Sequence, residues 1–263
     1  MKKNLLIGCV GSTSLHQKWI AGDCNFDLML VHYGDDDRYK DDGEYYIRAK
    51  GTKFNIIADI FDQIPNGYEY VFIPDDDLHM TSIQIDRLFE LAKEYKLKIC
   101  QPSLVGYYSI PLNLNHPGSL LRYTDWVEII CPCFDRETFE LCRNTFTHNK
   151  SCWGIDLLWG VVLGHPQDSI AVVDDVIAVH TRPCFWGDNY SNNNVHKPYN
   201  DLKKIIDENN LSWERQVYST VAKKEDYDQP SELRVYPCLE YTKNMCSRLA
   251  CGQAIPPFEN KIF

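Results

Sequence analysis

Unbroken apolar runs that stop abruptly in acidic or glycine-containing turns set the strongest limit on what this chain can fold into. Residues 5–10 (LLIGCV) run into Gly11-Ser12-Thr13-Ser14, and residues 26–33 (FDLMLVHY) into Gly34 and Asp35-Asp36-Asp37. Residues 68–73 (YEYVFI) run into Pro74-Asp75-Asp76-Asp77. A run with no polar alternation has no solvent face, so it suits a strand covered on both sides, as in a parallel sheet. Between the runs the spacing turns helical. Phe54, Ile57, Ala58, Ile60 and Phe61 fall on one face of 53–61. Thr81-Ser82-Ile83-Gln84 is a capping box, followed by an apolar stripe of Ile85, Leu88, Phe89, Ala92 and Tyr95. Further strands are predicted at 98–103, 126–132 (WVEIICP) and 170–180 (IAVVDDVIAVH), and further helices at 136–144, 153–163 and 201–209. Alternating strands and helices predict an α/β fold with a mainly parallel central sheet flanked by helices. The pattern weakens from about residue 212, which predicts a main domain over 1–200 and an appendage over 201–263.

The 263 residues suffice for one large domain with its own core. Lys and Arg number 27 against 37 Asp and Glu, a net charge of -10. That balance argues against nucleic acid and against an anionic membrane surface as partners. The 11 cysteines are odd in number, scattered and free of any CxxC spacing. With a short apolar N-terminal run that reads as a first strand, they predict reduced thiols in a cytoplasmic protein without a transmembrane segment. Cys131-Pro-Cys133 has the look of half a zinc site, but buried free thiols explain it more simply.

The chemistry concentrates at Asp75-Asp76-Asp77, directly after an apolar strand. Ligands of open α/β sheets sit at the carboxyl ends of strands. Adjacent carboxylates there repel one another and call for a cation, and hard oxygen ligands suit Mg²⁺ or Mn²⁺. Asp75 and Asp77 share a side if the backbone stays extended. Asp35–Asp37, by contrast, reads as a solvated turn. The chain lacks both GxGxxG and GxxxxGK[ST], so no glycine loop is available to cradle phosphates. A metal neutralising a nucleoside diphosphate is the alternative.

Four stretches carry a resemblance to a known family. They are MLVHYGDDDRY at 29–39, YEYVFIPDDDL at 68–78 with ICQPSL at 99–104, RYTDWVEIICPCF at 122–134 with CWGIDLLWG at 152–160, and IAVVDDVIAVH at 170–180. In this order they resemble the GT-A (Rossmann-like) glycosyltransferases and, more closely, a widespread GT-A-like family often labelled storage-protein-like in plants. The likeness covers roughly the first 190 residues. Pro74 stands where plant members carry Trp, and Asp76 where they usually carry Glu; the Asp-x-Asp pattern survives both changes.

The resemblance implies roles. Asp77 would ligate the metal directly, with His180 at the end of the late strand as a further ligand. Asp75 would bind the metal, its water shell or the ribose, and Asp76 would face the donor. Gly11, Ser12, His32 and Tyr33 would line the nucleobase and ribose. Lys53 would reach a phosphate. Asp156, after Trp153-Gly154, would be the general base of an inverting enzyme, with a helix cap as its competing role. Glu128, a carboxylate inside an apolar run, would pair with Arg122 or bind donor hydroxyls, and is the second catalytic candidate. Trp153 and Trp159 read more simply as core. The aromatic-rich loop 105–123, with Tyr107, Tyr108, His116 and Tyr123, would wall the acceptor. The expected activity is Mn²⁺- or Mg²⁺-dependent transfer from a UDP- or GDP-linked sugar to a glycan or other hydroxyl acceptor. A non-catalytic sugar or nucleotide binder is the alternative. A phosphohydrolase is disfavoured, because the Asp-x-Asp-x-Thr pattern it needs has His79 in place of Thr.

Overall fold

The computed structural model describes residues 2–183 and 198–223. The strands are β1 (Asn4–Val10), β2 (Phe26–His32), β3 (Tyr45–Arg48), β4 (Tyr70–Phe72), β5 (Leu78–His79), β6 (Ile99–Gly106), β7 (Ser119–Thr124), β8 (Cys133–Asp135), β9 (Ile170–His180) and β10 (Val217–Ala222). They form one ten-stranded sheet in the order β10-β7-β9-β6-β8-β4-β1-β2-β3, with β5 pairing off this path against β9. The ladders β3-β2-β1-β4 and β6-β9 are parallel. Strand β8 is antiparallel to β4 and β6, and β7 to β9 and β10. Apart from β5, β7 and β8, every strand therefore runs the same way, and their carboxyl ends gather along one edge.

The unbroken apolar runs have a two-sided explanation. Leu6, Leu28, Leu30 and Phe72 point into one core with Ile85, Leu88 and Phe89 of α3 (Ser82–Glu94). Their neighbours Leu5, Ile7, Met29, Val31 and Val71 point into a second core. That second core is covered by α2 (Lys53–Asp59), α4 (Arg136–Cys142) and α5 (Ile155–Val162). Alternate side chains thus feed opposite faces, and both faces are apolar. The expected capping box is present: Thr81 accepts from the Gln84 N–H, and Gln84 accepts from the Thr81 N–H.

Residues 126–132 are not a strand but an irregular segment joining β7 to β8. Their apolar side chains are buried, and the sequence signal was one of burial rather than of backbone conformation. The expected loop 105–123 contains most of β7. Strands β3 and β10 left no apolar run because they are half-exposed or exposed edges. The described part of the expected appendage is integral to the fold. Helix α6 (Pro198–Asn209) places Ile205 in the second core, and β10 closes one end of the sheet. Gly154, the N-cap of α5, has φ +84°, and a Cβ there would lie 3.1 Å from Leu202 Cα of α6. Glycine alone allows both the left-handed turn and the close helix approach.

Among the described residues no helix is long and apolar enough to cross a membrane. The described cysteines are all free thiols; Cys131 and Cys133 are buried, and no group of three metal-ligating side chains surrounds them. Cys184, Cys238, Cys246 and Cys251 lie outside the described residues.

Candidate active site

The carboxyl ends of β1, β2, β4, β6 and β9 open onto a cavity of about 720 Å³. Of the residues expected at a site, Ser12, Tyr33, Lys53, Asp75, Asp76, Asp77, Glu128, Asp156 and His180 line it. Gly11 and His32 do not. The Gly11 N–H donates to Asp76 Oδ2 at 2.8 Å from beneath the wall. His32 is buried on the opposite face, where Nδ1 meets Tyr46 Oη at 3.0 Å and the ring packs edge-on to Tyr39. The sequence placed His32 at the strand's end, but side-chain alternation turns it away from the cavity.

The three acids after β4 have three different surroundings. The backbone turns at Asp76-Asp77 instead of staying extended, yet Asp75 and Asp77 both line the cavity. Asp75 is ion-paired with Lys53. The same ammonium donates to the carbonyls of Ile129 and Ile130, so Lys53 is an internal counter-ion with no hydrogen left for a phosphate. Asp76 Oδ2 accepts from both the Gly11 N–H and Tyr33 Oη at 2.8 Å, while Oδ1 faces Arg182 at 3.8 Å. Burial pushes the Asp76 carboxyl up to about 6 against the pull of those donors. It braces the turns after β1 and β2.

Asp77 faces His180, with Oδ2 3.4 Å from Nε2. Asp77 Oδ1 is buried and has no hydrogen-bond partner among the described residues. Burial alone would raise the Asp77 carboxyl, but His180 outweighs it and holds the group below the ordinary carboxylate range. His180 Nδ1 lies 3.0 Å from the Tyr107 carbonyl, which fixes Nδ1–H as the donor and leaves Nε2 toward Asp77. The β6–β9 register sets Gly106 opposite His180. Gly106 has φ +90°, and a Cβ there would lie 2.5 Å from the His180 carbonyl oxygen, so only glycine lets the strand end close on the His180 backbone. An orphaned carboxylate oxygen beside an imidazole with its second nitrogen anchored fits a divalent cation. Among the described residues no group of three such ligands is assembled. The remaining positions would fall to ligand oxygens and water, the usual arrangement for Mg²⁺ at phosphates.

Glu128 and Asp156 line the same cavity. Arg122 is not the partner of Glu128: it forms a buried fork with Asp174 at 2.7 and 2.9 Å and donates to the carbonyls of Leu112 and Leu114. Glu128 instead accepts from the Asn113 amide. Burial, reinforced by the nearby Asp156 charge, pushes its carboxyl up to about 7, although Ser109 pulls the other way. Asp156 accepts from the Ile129 N–H at 3.2 Å and the Leu157 N–H at 3.1 Å. It is not the cap of α5, a position held by Gly154. Its place in the first turn of α5 favours the ionised form, but burial outweighs this and pushes it up to about 6.

Of the loop 105–123, only Ser109 and Ile110 reach the cavity. Tyr108 is buried, the His116 N–H is tied to Asp174, and Tyr123 packs on the sheet core. Trp159 is core, as expected, with its indole N–H on Thr145 Oγ1 at 3.1 Å, whereas Trp153 lines the cavity. The sequence reading missed Trp126, Arg182, Tyr199, Trp213 and Arg215 on the cavity wall. No spacing links them; only the docking of 198–215 against α5 brings them together.

No protein-family model matches this chain, and no curated protein does. A search of solved structures finds the crystal structure of S. aureus TarS 1–349 in complex with UDP-GlcNAc, at 12% identity and a TM-score of 0.50, covering 79% of this chain and 66% of that one. TarS 1–349 without the sugar nucleotide and TarS itself follow at 10% identity, with TM-scores of 0.48 and 0.47. The chain spans just under two thirds of the first of these and 60% and 37% of the others. What the likeness shows is the fold: a mixed α/β protein with a mostly parallel central sheet flanked by helices.

Proposed function

We propose that this chain is a glycosyltransferase of the GT-A type, using a nucleoside-diphosphate sugar as donor and a hydroxyl group as acceptor. The observation that carries the reading is one cavity at the carboxyl edge of the sheet, lined both by Asp77 with His180 and by the buried carboxyls Glu128 and Asp156. The TarS fold, solved with UDP-GlcNAc, supports a UDP-linked donor.

Ser12, Thr13 and Tyr33 line the part suited to the nucleoside. Asp77 Oδ1 and His180 Nε2 would hold Mn²⁺ or Mg²⁺, which supplies charge neutralisation for the departing diphosphate. Asp75 stays paired with Lys53 and keeps the cavity from carrying a further bare charge. Asp156 takes the proton from the acceptor hydroxyl as its oxygen bonds to the anomeric carbon. The bond from that carbon to the diphosphate oxygen breaks, and the electron pair leaves with the diphosphate. Attack from the side opposite the leaving group inverts the anomeric centre. Glu128, with its higher pKa, is the carboxyl better suited to hydrogen-bond the donor sugar in protonated form, since neighbouring acids split their roles when their environments differ.

Incubation with a panel of UDP- and GDP-sugars, with Mn²⁺ and with EDTA, tests this. Release of the nucleoside diphosphate only with the metal is expected. Inorganic phosphate would indicate a phosphohydrolase, and metal-dependent binding without turnover a binding protein.

A further inference from the structure

Helix α6 and the turn after it were expected to be an appendage, but they complete the cavity. Tyr199 and Trp213 stack with ring centroids 5.8 Å apart and planes 23° from parallel, and both line the cavity. Trp213 remains 52% exposed, so much of its surface is open. Leu202 and Ile206 of α6 join Trp126 and Leu157 to extend the wall inward to Asp156.

Buried polar atoms without partners point to what this wall receives. Trp126 is 7% exposed, and among the described residues neither its Nε1–H nor Ser109 Oγ has a hydrogen bond of full geometry. Both line the cavity. The indole lies beside Asp156 and the hydroxyl beside Glu128, and each favours the ionised form of its neighbouring carboxyl. A buried donor left unpaired costs about 1–3 kcal/mol, so a ligand bringing hydroxyl groups would recover that cost. The cations on the cavity wall are already engaged. Arg215 pairs with Asp125 at 3.3 Å, Arg182 faces Asp76 at 3.8 Å, and Lys53 pairs with Asp75. None of the three is left to recognise an anionic acceptor. A lipid chain would bring no hydrogen-bonding group to the indole N–H or the hydroxyl and would dry the two carboxyls beside them.

We infer that Trp213 and Tyr199 form a platform for an uncharged saccharide acceptor. One ring lies on Trp213 through its polarised C–H face, and its hydroxyl groups reach Trp126 Nε1–H and Ser109 Oγ beside Asp156. A flat aromatic face with polar groups at its inner end matches the alternating apolar and hydroxylated surfaces of a sugar ring. The inference rests on the glycosyltransferase reading for the word acceptor, but the subsite is defined by its own residues.

Saturation-transfer NMR on the full chain, without nucleotide, tests the subsite directly. The probes are the methyl glycosides of glucose, galactose, mannose and N-acetylglucosamine, with cellobiose and lactose, and with farnesyl phosphate as the anionic lipid control. At least one saccharide is expected to receive saturation on its ring C–H protons. Trp213→Ala should weaken its binding about tenfold and Trp213→Phe only about twofold, scaled to the worth of an aromatic contact. Trp126→Phe, which removes the N–H together with the fused five-membered ring, should weaken it as well. UDP affinity with Mn²⁺ is measured on the same samples. No saccharide signal, preferential binding of farnesyl phosphate, or a parallel loss of UDP and saccharide binding in Trp213→Ala would overturn the subsite. Trp213-dependent saccharide binding in a chain that binds no nucleotide would uphold it and remove the transferase reading instead.

Discussion

Lys53 is the chain's own counter-ion to Asp75, closed on that carboxylate and on the carbonyls of Ile129 and Ile130. It ties α2, the turn after β4 and the irregular segment before β8 into one wall. Lys53→Met should therefore cost stability before it costs nucleotide contacts. Breaking a fully buried pair costs ~3–5 kcal/mol. The Asp75 side chain is 37% exposed and partly rescued by water, so about 2 kcal/mol is expected. Adding Asp75→Asn should restore part of the loss, because the stranded carboxylate is then gone. Urea denaturation of the two single variants and the double variant measures the coupling. Additive losses would show that the pair is not the unit.

Asp77 should govern metal-dependent binding where Asp75 does not. Its Oδ1 is the cavity's orphaned carboxylate oxygen, and the neighbouring His180 presents Nε2 to the same place. Asp77→Ala should lower UDP affinity at least about tenfold with Mn²⁺ and leave the residual affinity in EDTA unchanged. Titration calorimetry under both conditions reads this. Equal affinity with Mn²⁺ and with EDTA in the parent protein would refute a metal role for the pair.

Gly106→Ala probes how His180 is held. The new methyl would meet the His180 carbonyl oxygen at 2.5 Å, and the backbone there has φ +90°. A left-handed alanine alone costs roughly 1–2 kcal/mol. The clash is expected to move the strand end as well, so thermal unfolding should come earlier and Mn²⁺-dependent UDP binding should weaken. A variant that loses stability with undiminished metal-dependent binding would show that the His180 position tolerates the shift.

The sheet interior was legible because β1, β2 and β4 are buried on both faces, and such strands leave nearly unbroken apolar runs. The edges were not. Strand β10 alternates exposed and half-exposed residues, so nothing in its sequence marks it as a strand until β7 pairs with it. The 126–132 run misled for the opposite reason: its apolar residues floor a cavity, and burial there does not require an extended ladder. The acids after β4 were found from their place behind a strand, but their division of labour was not. It depends on Lys53 arriving from α2, Tyr33 from β2 and His180 from β9, contacts 22, 43 and more than a hundred residues away along the chain. The Tyr199–Trp213 wall was invisible because two aromatics fourteen positions apart carry no signal until a helix and its following turn fold back together.

Asp156 should be required for turnover and nearly dispensable for donor binding. A base acts on the acceptor hydroxyl, so Asp156→Asn is expected to lower kcat by about 10²–10⁴-fold and leave UDP affinity little changed. The substitution keeps an oxygen for the Ile129 or Leu157 N–H, and Gly154 still caps the helix, so loss of turnover would not reflect loss of the cap. The pH dependence separates a base from a merely structural carboxyl. In the folded chain Asp156 titrates at about 6, against 3.8 for an ordinary aspartate. Between those values the native state keeps a proton that the unfolded chain has released. Its stabilising contribution is therefore complete below about pH 4 and is lost as the pH rises through 6. Asn cannot titrate, so the variant should be the more stable protein at pH 7.5, by on the order of 2 kcal/mol. The difference should vanish near pH 4 in chemical-denaturation curves. Over the same range the parent enzyme should gain activity as Asp156 ionises, with a midpoint near 6, and any residual turnover of the variant should lack that limb. Near-normal turnover of Asp156→Asn with the limb intact would move the proton transfer to Glu128.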